Sequence, residues 1–345
     1  MSPITACYAV RRCLFVATTP STPSTCATRS LARFFALDAA LDASRGALGD
    51  RVPQRLAAVG LVLVPGDPKQ IATQLRAITK QFQERVQERL PWLMQLSVAV
   101  PQLRLLFAGI LLRHQDSADA LVDEVERVHQ IMRGLSMRWD PVHAFIAILA
   151  MRTLGGGAPI TEAQVERMRD IYEAMKGHNW LLTGPEDFPA CALLTTRDGT
   201  PKQLAQRAHD IYAALRAGGC WPGDRLQTAS NLMAMIKVPT VELSDRYQAL
   251  VQGFEQAELE IGRDEYDEVA ISCLVARPVA AIVETVSDYA RQLREHSEWY
   301  ADDRSFGYAV NLAFVHLLGD DPELGPIADV KALLDMSTRM RQRSR

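Results

Sequence analysis

The chain contains 345 residues with a formal net charge of −3, and 48% of the residues are hydrophobic while 23% are charged. These values are typical of a soluble globular chain with a large core. They exclude the strongly basic balance of most nucleic-acid-binding domains, so we expect no nucleic-acid partner. Because a single core stops growing at about 250–300 residues, the length predicts about two domains unless the chain is a repeat protein.

The six cysteines lie at positions 7, 13, 26, 191, 220 and 273. The sequence contains neither a CxxC pair nor a cluster of cysteine and histidine at zinc-like spacing, so it predicts no bound metal and no cofactor. Cys191 and Cys273 lie in apolar helical stretches, where a free cysteine behaves as a small buried hydrophobic residue. We therefore expect a reducing compartment, which places the protein in the cytoplasm.

The first 34 residues differ in composition from the rest of the chain. They contain no acid, four arginines and many Ser, Thr and Pro residues. Such a composition is shared by targeting segments and disordered tails, and a mis-assigned start codon would give the same pattern. The apolar run CLFVA is shorter than the roughly 7–15 residues that a secretory signal needs. We predict a disordered extension over residues 1–34 and a single all-α domain over residues 35–345.

Helical periodicity begins well before the middle of the chain. The stretch LAAVGLVLVPG at 56–66 resembles a strand, although periodicity alone does not separate strand from buried helix there. Residues 70–90 and 117–134 keep a helical period. The apolar segment 90–112 is interrupted by polar residues and by Pro101, so it predicts two buried helices broken before the proline rather than a membrane span. We expect no membrane partner.

From residue 142 onward, a unit of two helices recurs about every 40 residues. Each unit has a short helix that is apolar nearly all round, followed by a longer amphipathic helix with one charged face. The short helices begin with FIAILAM at 145, FPACALL at 188, LQTASNLMAM at 226, YDEVAISCLV at 266 and FGYAVNLAFVHLL at 306. This pattern predicts an all-α array of antiparallel helix pairs, either an open α-solenoid or a curled α/α repeat, with the short helices in the inner layer.

Two further features of the sequence support a recurring unit of two helices. Tyr172, Tyr212, Tyr247 and Tyr289 fall at matching places in the long helices, where we expect them to pack in the core. Capping boxes mark two helix starts, Thr161 with Gln164 and Thr200 with Gln203, and in the second a proline occupies the first helical position.

Polar loops precede the short helices and would share one edge of a stacked array. A rim of carboxylates and backbone N–H groups there would suit a cation, a basic peptide or a sugar. The candidate rim residues are His178, Trp180, Thr183, Asp187, Asp224, Gln227, Asp264 and Asp302. The simpler interpretation, which the helix-start pattern favours, is that the acids only cap helices, and we predict that Asp187 caps the helix that starts at Phe188.

The rim sequences also resemble those of a known family. The segment LLTGPEDFPACALL at 181–194 contains an LTG-x-x-D-x-P helix-start motif, and Gly223 to Ser230 follow a Gly-x-x-Leu-Gln-x-x-Ser pattern. Both are similar to the uncharacterised bacterial domain-of-unknown-function family numbered 4003. The resemblance extends over roughly residues 70–335 and implies a helical architecture. The family has no established activity, so the resemblance implies no reaction.

Enzyme templates find little support in the sequence. No phosphate loop, nucleophile elbow or HExxH motif is present. The acids at 320–323, with Asp264-Glu265 and Asp267-Glu268 as a second group, resemble a magnesium-binding pair only weakly. We therefore predict a binding or scaffolding module that acts through its loop rim or concave face, with a protein or peptide as one candidate partner. The alternative is an enzyme with its site around His178, Asp187 and Asp224.

Overall fold

The computed structural model describes residues 23–42, 51–90, 101–178, 182–296, 305–318 and 324–343. In these ranges the chain forms fifteen α-helices and no strand, which confirms the all-α prediction. The helices are α1 Pro23–Leu41, α2 Val52–Leu61, α3 Pro68–Arg89, α4 Pro101–Arg113, α5 Ala118–Gly134, α6 Pro141–Leu154, α7 Glu162–His178, α8 Phe188–Leu194, α9 Pro201–Ala217, α10 Asp224–Met233, α11 Thr240–Gln256, α12 Tyr266–Leu274, α13 Val279–Glu295, α14 Ser305–Leu318 and α15 Gly325–Arg343.

The first fourteen helices form seven hairpins that close into a ring. Each odd-numbered helix packs against the even-numbered helix that follows it, and the odd-numbered helices pack side by side as an outer layer. The ring closes because α13 packs against α1 in the outer layer and α14 packs against α2 in the inner layer. The array is therefore curled rather than open, and short connections make neighbouring helices alternate in direction.

The two layers differ in burial as the sequence predicts. Every residue of α8 and of α12 is buried, whereas the outer helix α13 buries only Ile282, Val286, Tyr289, Ala290 and Leu293. An inner helix contacts the outer layer on one side and the ring centre on the other, so it must be apolar nearly all round. This confirms that the short apolar helices form the inner layer.

The last helix occupies the centre of the ring. Helix α15 packs against α14, α2, α4 and α6, which are inner-layer helices from one half of the ring. Most of its central residues are buried, including Asp329, Lys331 and Ser337. A cleft remains in the opposite half of the centre, which faces α8, α10 and α12.

An arginine on the outer helix fastens the turn after the inner helix in four hairpins. The arginines are Arg33, Arg167, Arg207 and Arg246, and each donates to three backbone carbonyls of that turn. For Arg167 the acceptors are the carbonyls of Thr195, Arg197 and Gly199 at 3.0, 2.7 and 2.9 Å. Carbonyls at a helix end lack intrahelical partners, and a planar guanidinium can satisfy several of them together.

The arginines also show that the four tyrosines do not occupy one equivalent position. Tyr172 and Tyr212 follow their arginines by five residues, whereas Tyr247 directly follows Arg246. Tyr247 is therefore displaced by about one helical turn. All four tyrosines are buried, in agreement with their expected packing role. The repeat period of about 40 residues stays a prediction.

Several local predictions are resolved by the structure. Both capping boxes form, and α4 starts at Pro101 as expected. The strand-like stretch at 56–66 is instead the end of α2 and the following turn, because burial on all sides suits an inner helix as well as a strand. Helix α1 crosses the boundary set at residue 34 and buries Leu31 and Phe34, while residues 1–22 lie outside the described part.

None of the described helices combines the length and the apolar character that crossing a bilayer requires. The apolar segment at 90–112 contributes α4 to the inner layer, and residues 91–100 lie outside the described ranges.

We expect Arg167→Ala to lower the free energy of unfolding by roughly 1.5–3 kcal/mol, because three carbonyls lose a charged donor. Arg167→Lys should recover only part of the loss, since an ammonium group lacks the fork that spans the turn. Urea denaturation measures both effects. Arg169→Ala is the control, because the Arg169 guanidinium donates to Asp170 on the same helix. Equal midpoints for Arg167→Ala and the control would contradict the stabilising role.

Candidate functional site

The unfilled half of the ring centre is a cleft of about 340 Å³, which we call the central cleft. Its walls come from the N-terminal ends of α8, α10 and α12 and from α15. The lining residues are Leu182, Glu186, Asp187, Trp221, Pro222, Gly223, Asp224, Arg225, Leu226, Gln227, Thr228, Arg263, Asp264, Tyr266, Asp267, Leu334, Asp335 and Thr338. The volume lies in the range of about 300–1,000 Å³ that is usual for small-molecule sites.

Four of the rim residues selected from the sequence line this one cleft, namely Asp187, Asp224, Gln227 and Asp264. Thr183 lies beside them, since its hydroxyl is 3.4 Å from the Gln227 side-chain nitrogen. The structure thus brings together loops that are about 40 residues apart in sequence.

His178 does not join this group. It stacks on His209, with ring centroids 5.0 Å apart, and lines a second, small pocket that shares Gln227 with the central cleft. The set His178, Asp187 and Asp224, which the enzyme alternative requires, is therefore not assembled around one cavity. Trp180 and Asp302 lie outside the described residues.

The Asp187 carboxylate is buried, with 5% of its surface exposed, and it bridges two hairpins. One oxygen accepts from the Asn231 amide at 2.9 Å, and the other accepts from the Gln227 amide at 2.9 Å and from the Gly184 N–H at 3.1 Å. Burial raises the pKa of Asp187 to about 7 despite these three donors. The carboxylate therefore links the start of α8 to α10.

The prediction that Asp187 caps α8 is wrong. Its side chain makes no hydrogen bond to the first turn of α8. A capping side chain reaches that turn from an extended backbone, whereas Asp187 has φ −86° and ψ −9° because a short 3-10 turn at 185–187 leads directly into the helix.

The start of α10 offers hydrogen-bond donors to the cleft. Gly223 precedes the helix with φ 145°, a conformation that favours glycine, and it supplies no side-chain cap. Asp224 and Arg225 follow in the first turn and line the cleft. The N–H groups at a helix start carry partial positive charge, so this end of α10 suits an acceptor group of a ligand.

One buried side-chain oxygen near the cleft has no donor. The Gln227 side-chain oxygen Oε1 is buried and has no hydrogen-bond partner, because the amide nitrogen of the same side chain is directed at Asp187. This oxygen has no surface exposed to the cleft, and Gln227 also lines the small pocket that holds His178. It is therefore not a contact for a ligand in the central cleft.

One aromatic side chain stands at the mouth of the cleft. Trp221 is 60% exposed, and the Arg263 guanidinium lies 4.1 Å from the centre of its ring. The backbone N–H of Trp221 donates to the Tyr266 hydroxyl at 3.0 Å, which fixes the loop. An exposed indole at a cleft entrance is a flat apolar platform in an otherwise polar surface.

The floor of the cleft holds a buried cluster of one lysine and three acids. Lys331 is fully buried, and its ammonium nitrogen lies 2.7 Å from Asp335, 2.8 Å from Glu268 and 3.3 Å from Asp267. Arg225 approaches the same cluster, 3.8 Å from Asp267 and 3.4 Å from Asp264. We call Lys331, Asp335, Glu268 and Asp267 the central charge cluster.

The central charge cluster separates the pKa values of its acids. Burial alone would raise the pKa of Asp267, but the charges of Lys331 and Arg225 hold it at about 2. Burial and the neighbouring Asp267 charge raise the pKa of Glu268 well above its usual range. Burial opposes the charged form of Lys331, yet the three carboxylates raise the pKa of its ammonium group.

Oxygens of Asp267, Glu268 and Asp335 lie within 4.8 Å of one another, a spacing that would suit a metal ion. The ammonium group of Lys331 contacts all three carboxylates instead. Because its three N–H bonds match three acceptors, the lysine supplies the positive charge that a cation would bring.

Sequence reasoning did not select Trp221, Lys331 or Asp335. A signal for the last two was present, since a lysine in the apolar stretch of α15 is followed four residues later by an aspartate. Such a pair on a mostly apolar helix indicates a buried ion pair. No local pattern marked Trp221.

The comparisons with known proteins agree with the resemblance seen in the motifs. Residues 157–321 match the family described as a protein of unknown function (DUF4003). This region contains α7 to α14 and so includes all three loops that enter the central cleft. No curated protein and no solved structure matches the chain.

We expect Lys331→Met to lower the free energy of unfolding by roughly 3–5 kcal/mol, because three buried carboxylates lose their shared cation. The loss should grow as the pH rises, since the carboxylates can relieve their repulsion at low pH by binding protons. Thermal and urea unfolding across pH 5–8 measures it. Lys202→Met on the surface of α9 is the control, and similar stability for the two variants would contradict the role of Lys331.

The raised pKa of Asp187 predicts a definite pH dependence. Between its usual pKa near 3.8 and about 7, the folded state holds a proton that the unfolded chain releases. This contribution to stability is present at low pH and is lost as the pH rises towards 7. Asp187→Asn should therefore gain stability relative to the wild type as the pH is raised from 4 to 8.

Asp187→Ala should instead cost roughly 1–3 kcal/mol, because the buried amides of Gln227 and Asn231 lose their acceptor. Unfolding curves of the three proteins at pH 4 and 8 test both expectations. A constant difference between wild type and Asp187→Asn at the two pH values would contradict the raised pKa.

Proposed function

We propose that the protein is a binding module whose ligand is a small polyhydroxylated molecule, a mono- or oligosaccharide, held in the central cleft. The observation that carries this proposal is the convergence of three rim loops and α15 on one cavity of about 340 Å³. In a helical array, a concave surface lined by successive loops is the usual place for a ligand.

The polar groups of the cleft favour a neutral ligand that carries hydroxyl groups over a cation or an anion. The start of α10 provides N–H donors, while the carboxylate of Asp224 provides an acceptor. A hydroxyl both donates and accepts, so a sugar can satisfy both kinds of group. Both arginines of the cleft already have partners, Arg225 in ion pairs and Arg263 on the Trp221 ring, which disfavours an anionic ligand.

Trp221 supplies the apolar surface that such a ligand needs. The C–H face of a sugar ring can pack on an exposed indole, as other partly apolar rings do.

Binding is favoured over catalysis because His178 lies outside the cleft and the carboxylate of Asp187 is engaged by three N–H donors.

The thiols of Cys191, Cys220 and Cys273 are free, which supports our placement of the protein in a reducing compartment such as the cytoplasm. A protein or peptide partner remains the competing proposal.

The test uses the full chain and a panel of glucose, galactose, xylose and N-acetylglucosamine with their linear disaccharides. We expect saturation-transfer NMR to detect at least one of them, and the same sugar to raise the melting temperature by mass action. Trp221→Ala should weaken that binding roughly tenfold. Val241→Ala, which alters the other exposed large apolar side chain in the described ranges, should leave it unchanged.

Spermidine and inorganic phosphate serve as cation and anion probes in the same assay. A response to either one without a response to any sugar would replace the proposal with an ion site. A panel with no response to any sugar would refute it.

A further inference from the structure

The loop that carries Trp221 places few restraints on its own backbone. It is the connection 218–223 between α9 and α10, and it contains three glycines. Two of them, Gly219 with φ 103° and Gly223 with φ 145°, adopt backbone conformations that favour glycine. Because glycine restricts the backbone least, contacts from outside the loop are needed to hold Trp221 in one orientation.

Two buried tyrosine hydroxyls hold the backbone of this loop. The N–H of Trp221 donates to the Tyr266 hydroxyl at 3.0 Å, and the N–H of Gly223 donates to the Tyr212 hydroxyl at 3.3 Å. Tyr212 belongs to α9, the helix that the loop leaves, whereas Tyr266 is the first residue of α12 in the next hairpin. The position of Trp221 therefore depends on a neighbouring hairpin as well as on its own.

The indole of Trp221 is restrained from the same neighbouring hairpin. Arg263 lies just before α12, and its guanidinium is 4.1 Å from the centre of the indole ring. A cation over the face of an indole is attracted by the ring electrons. Arg263 covers one face of the ring, yet Trp221 is 60% exposed, so the opposite face is open. Arg263 and Tyr266 thus restrain the ring and the backbone of Trp221 together.

We propose that Tyr266 and Arg263 are positioning residues for the ligand of the central cleft, because they hold the open face of the Trp221 indole where a sugar ring can pack on it. This inference rests on the proposed function and adds the residues that keep its apolar platform in place. Both residues line the central cleft. A platform that is already held in the bound orientation loses less conformational freedom on binding, so it binds more tightly.

The first test needs no ligand. The full chain is labelled with 5-fluorotryptophan, and Trp221→Phe identifies the Trp221 signal among the five tryptophans by fluorine NMR. Tyr266→Phe keeps the aromatic ring and removes the hydroxyl that accepts from the Trp221 N–H. Arg263→Gln removes the cation over the indole. We expect each change to shift or broaden the Trp221 signal and to leave the other tryptophan signals in place.

The second test measures the affinity for glucose, galactose, xylose and N-acetylglucosamine by NMR titration. For the sugar that binds the wild type, Tyr266→Phe and Arg263→Gln should each weaken binding roughly threefold. In a Trp221→Ala background neither change should weaken binding further, since the platform that they hold is absent.

Tyr289→Phe is the matched control for the loss of a tyrosine hydroxyl. Tyr289 is fully buried on α13, its hydroxyl lies 3.1 Å from the His316 ring, and it is not among the residues that line the central cleft. The variant should change neither the Trp221 signal nor the sugar affinity.

The results separate this inference from the proposed function. An unchanged Trp221 signal in both variants would overturn the inference. An equal loss of affinity with and without Trp221 would also overturn it, because the two residues would then act on the ligand directly. Tighter binding by Arg263→Gln would show that Arg263 competes with the ligand for the indole, and it would overturn the role of that residue. If Tyr266→Phe does not fold, Arg263→Gln decides the question. If no sugar binds the wild type, the proposed function fails, whereas the fluorine spectra still show whether the two residues hold Trp221.

Discussion

The ion cluster around Lys331 is the constraint on which the centre of this protein depends. The inner ring is mostly apolar, and a buried lysine beside it would be unfavourable without acceptors. Three carboxylates surround its ammonium group, two from α12 and one from α15 itself. The cluster therefore fixes the register of α15 against α12, and Arg225 joins it to α10.

The position of α15 in turn decides where the cleft lies. The helix fills the half of the ring centre next to α14, α2, α4 and α6 and leaves the half that faces α8, α10 and α12. A second ion pair, Arg113 with Asp329 at 3.0 Å, ties the start of α15 to α4. Helix α15 is thus tied to α4 through Asp329 and to α12 through Lys331.

The two ends of the ring differ in how their polar groups are arranged. At one end, arginines of the outer helices satisfy the carbonyls at the ends of inner helices and fasten the turns. At the other end, the chain enters the inner helices through loops of Gly, Asp and Trp that surround the cleft. Inner helices point in one direction, so their partly positive N-terminal ends gather at the cleft. The same topology thus gives one end whose helix carbonyls are satisfied by arginines and another end that contains the cleft.

The sequence by itself determined the helical class, the division into inner and outer helices and two capping boxes. It also sufficed to select four of the residues that line the cleft. These features follow from local rules, since helical period, caps and polar loops are readable within one or two turns. Only the tertiary structure decided that the array closes and that α15 occupies its centre. It also decided that Lys331 pairs with Glu268 and that Asp187 binds Gln227 rather than its own helix. Those partners are 63 and 40 residues apart in the sequence. Burial rather than local geometry selects them, because a buried charged group needs a hydrogen-bond partner, and the packing of the helices decides which partner lies within reach.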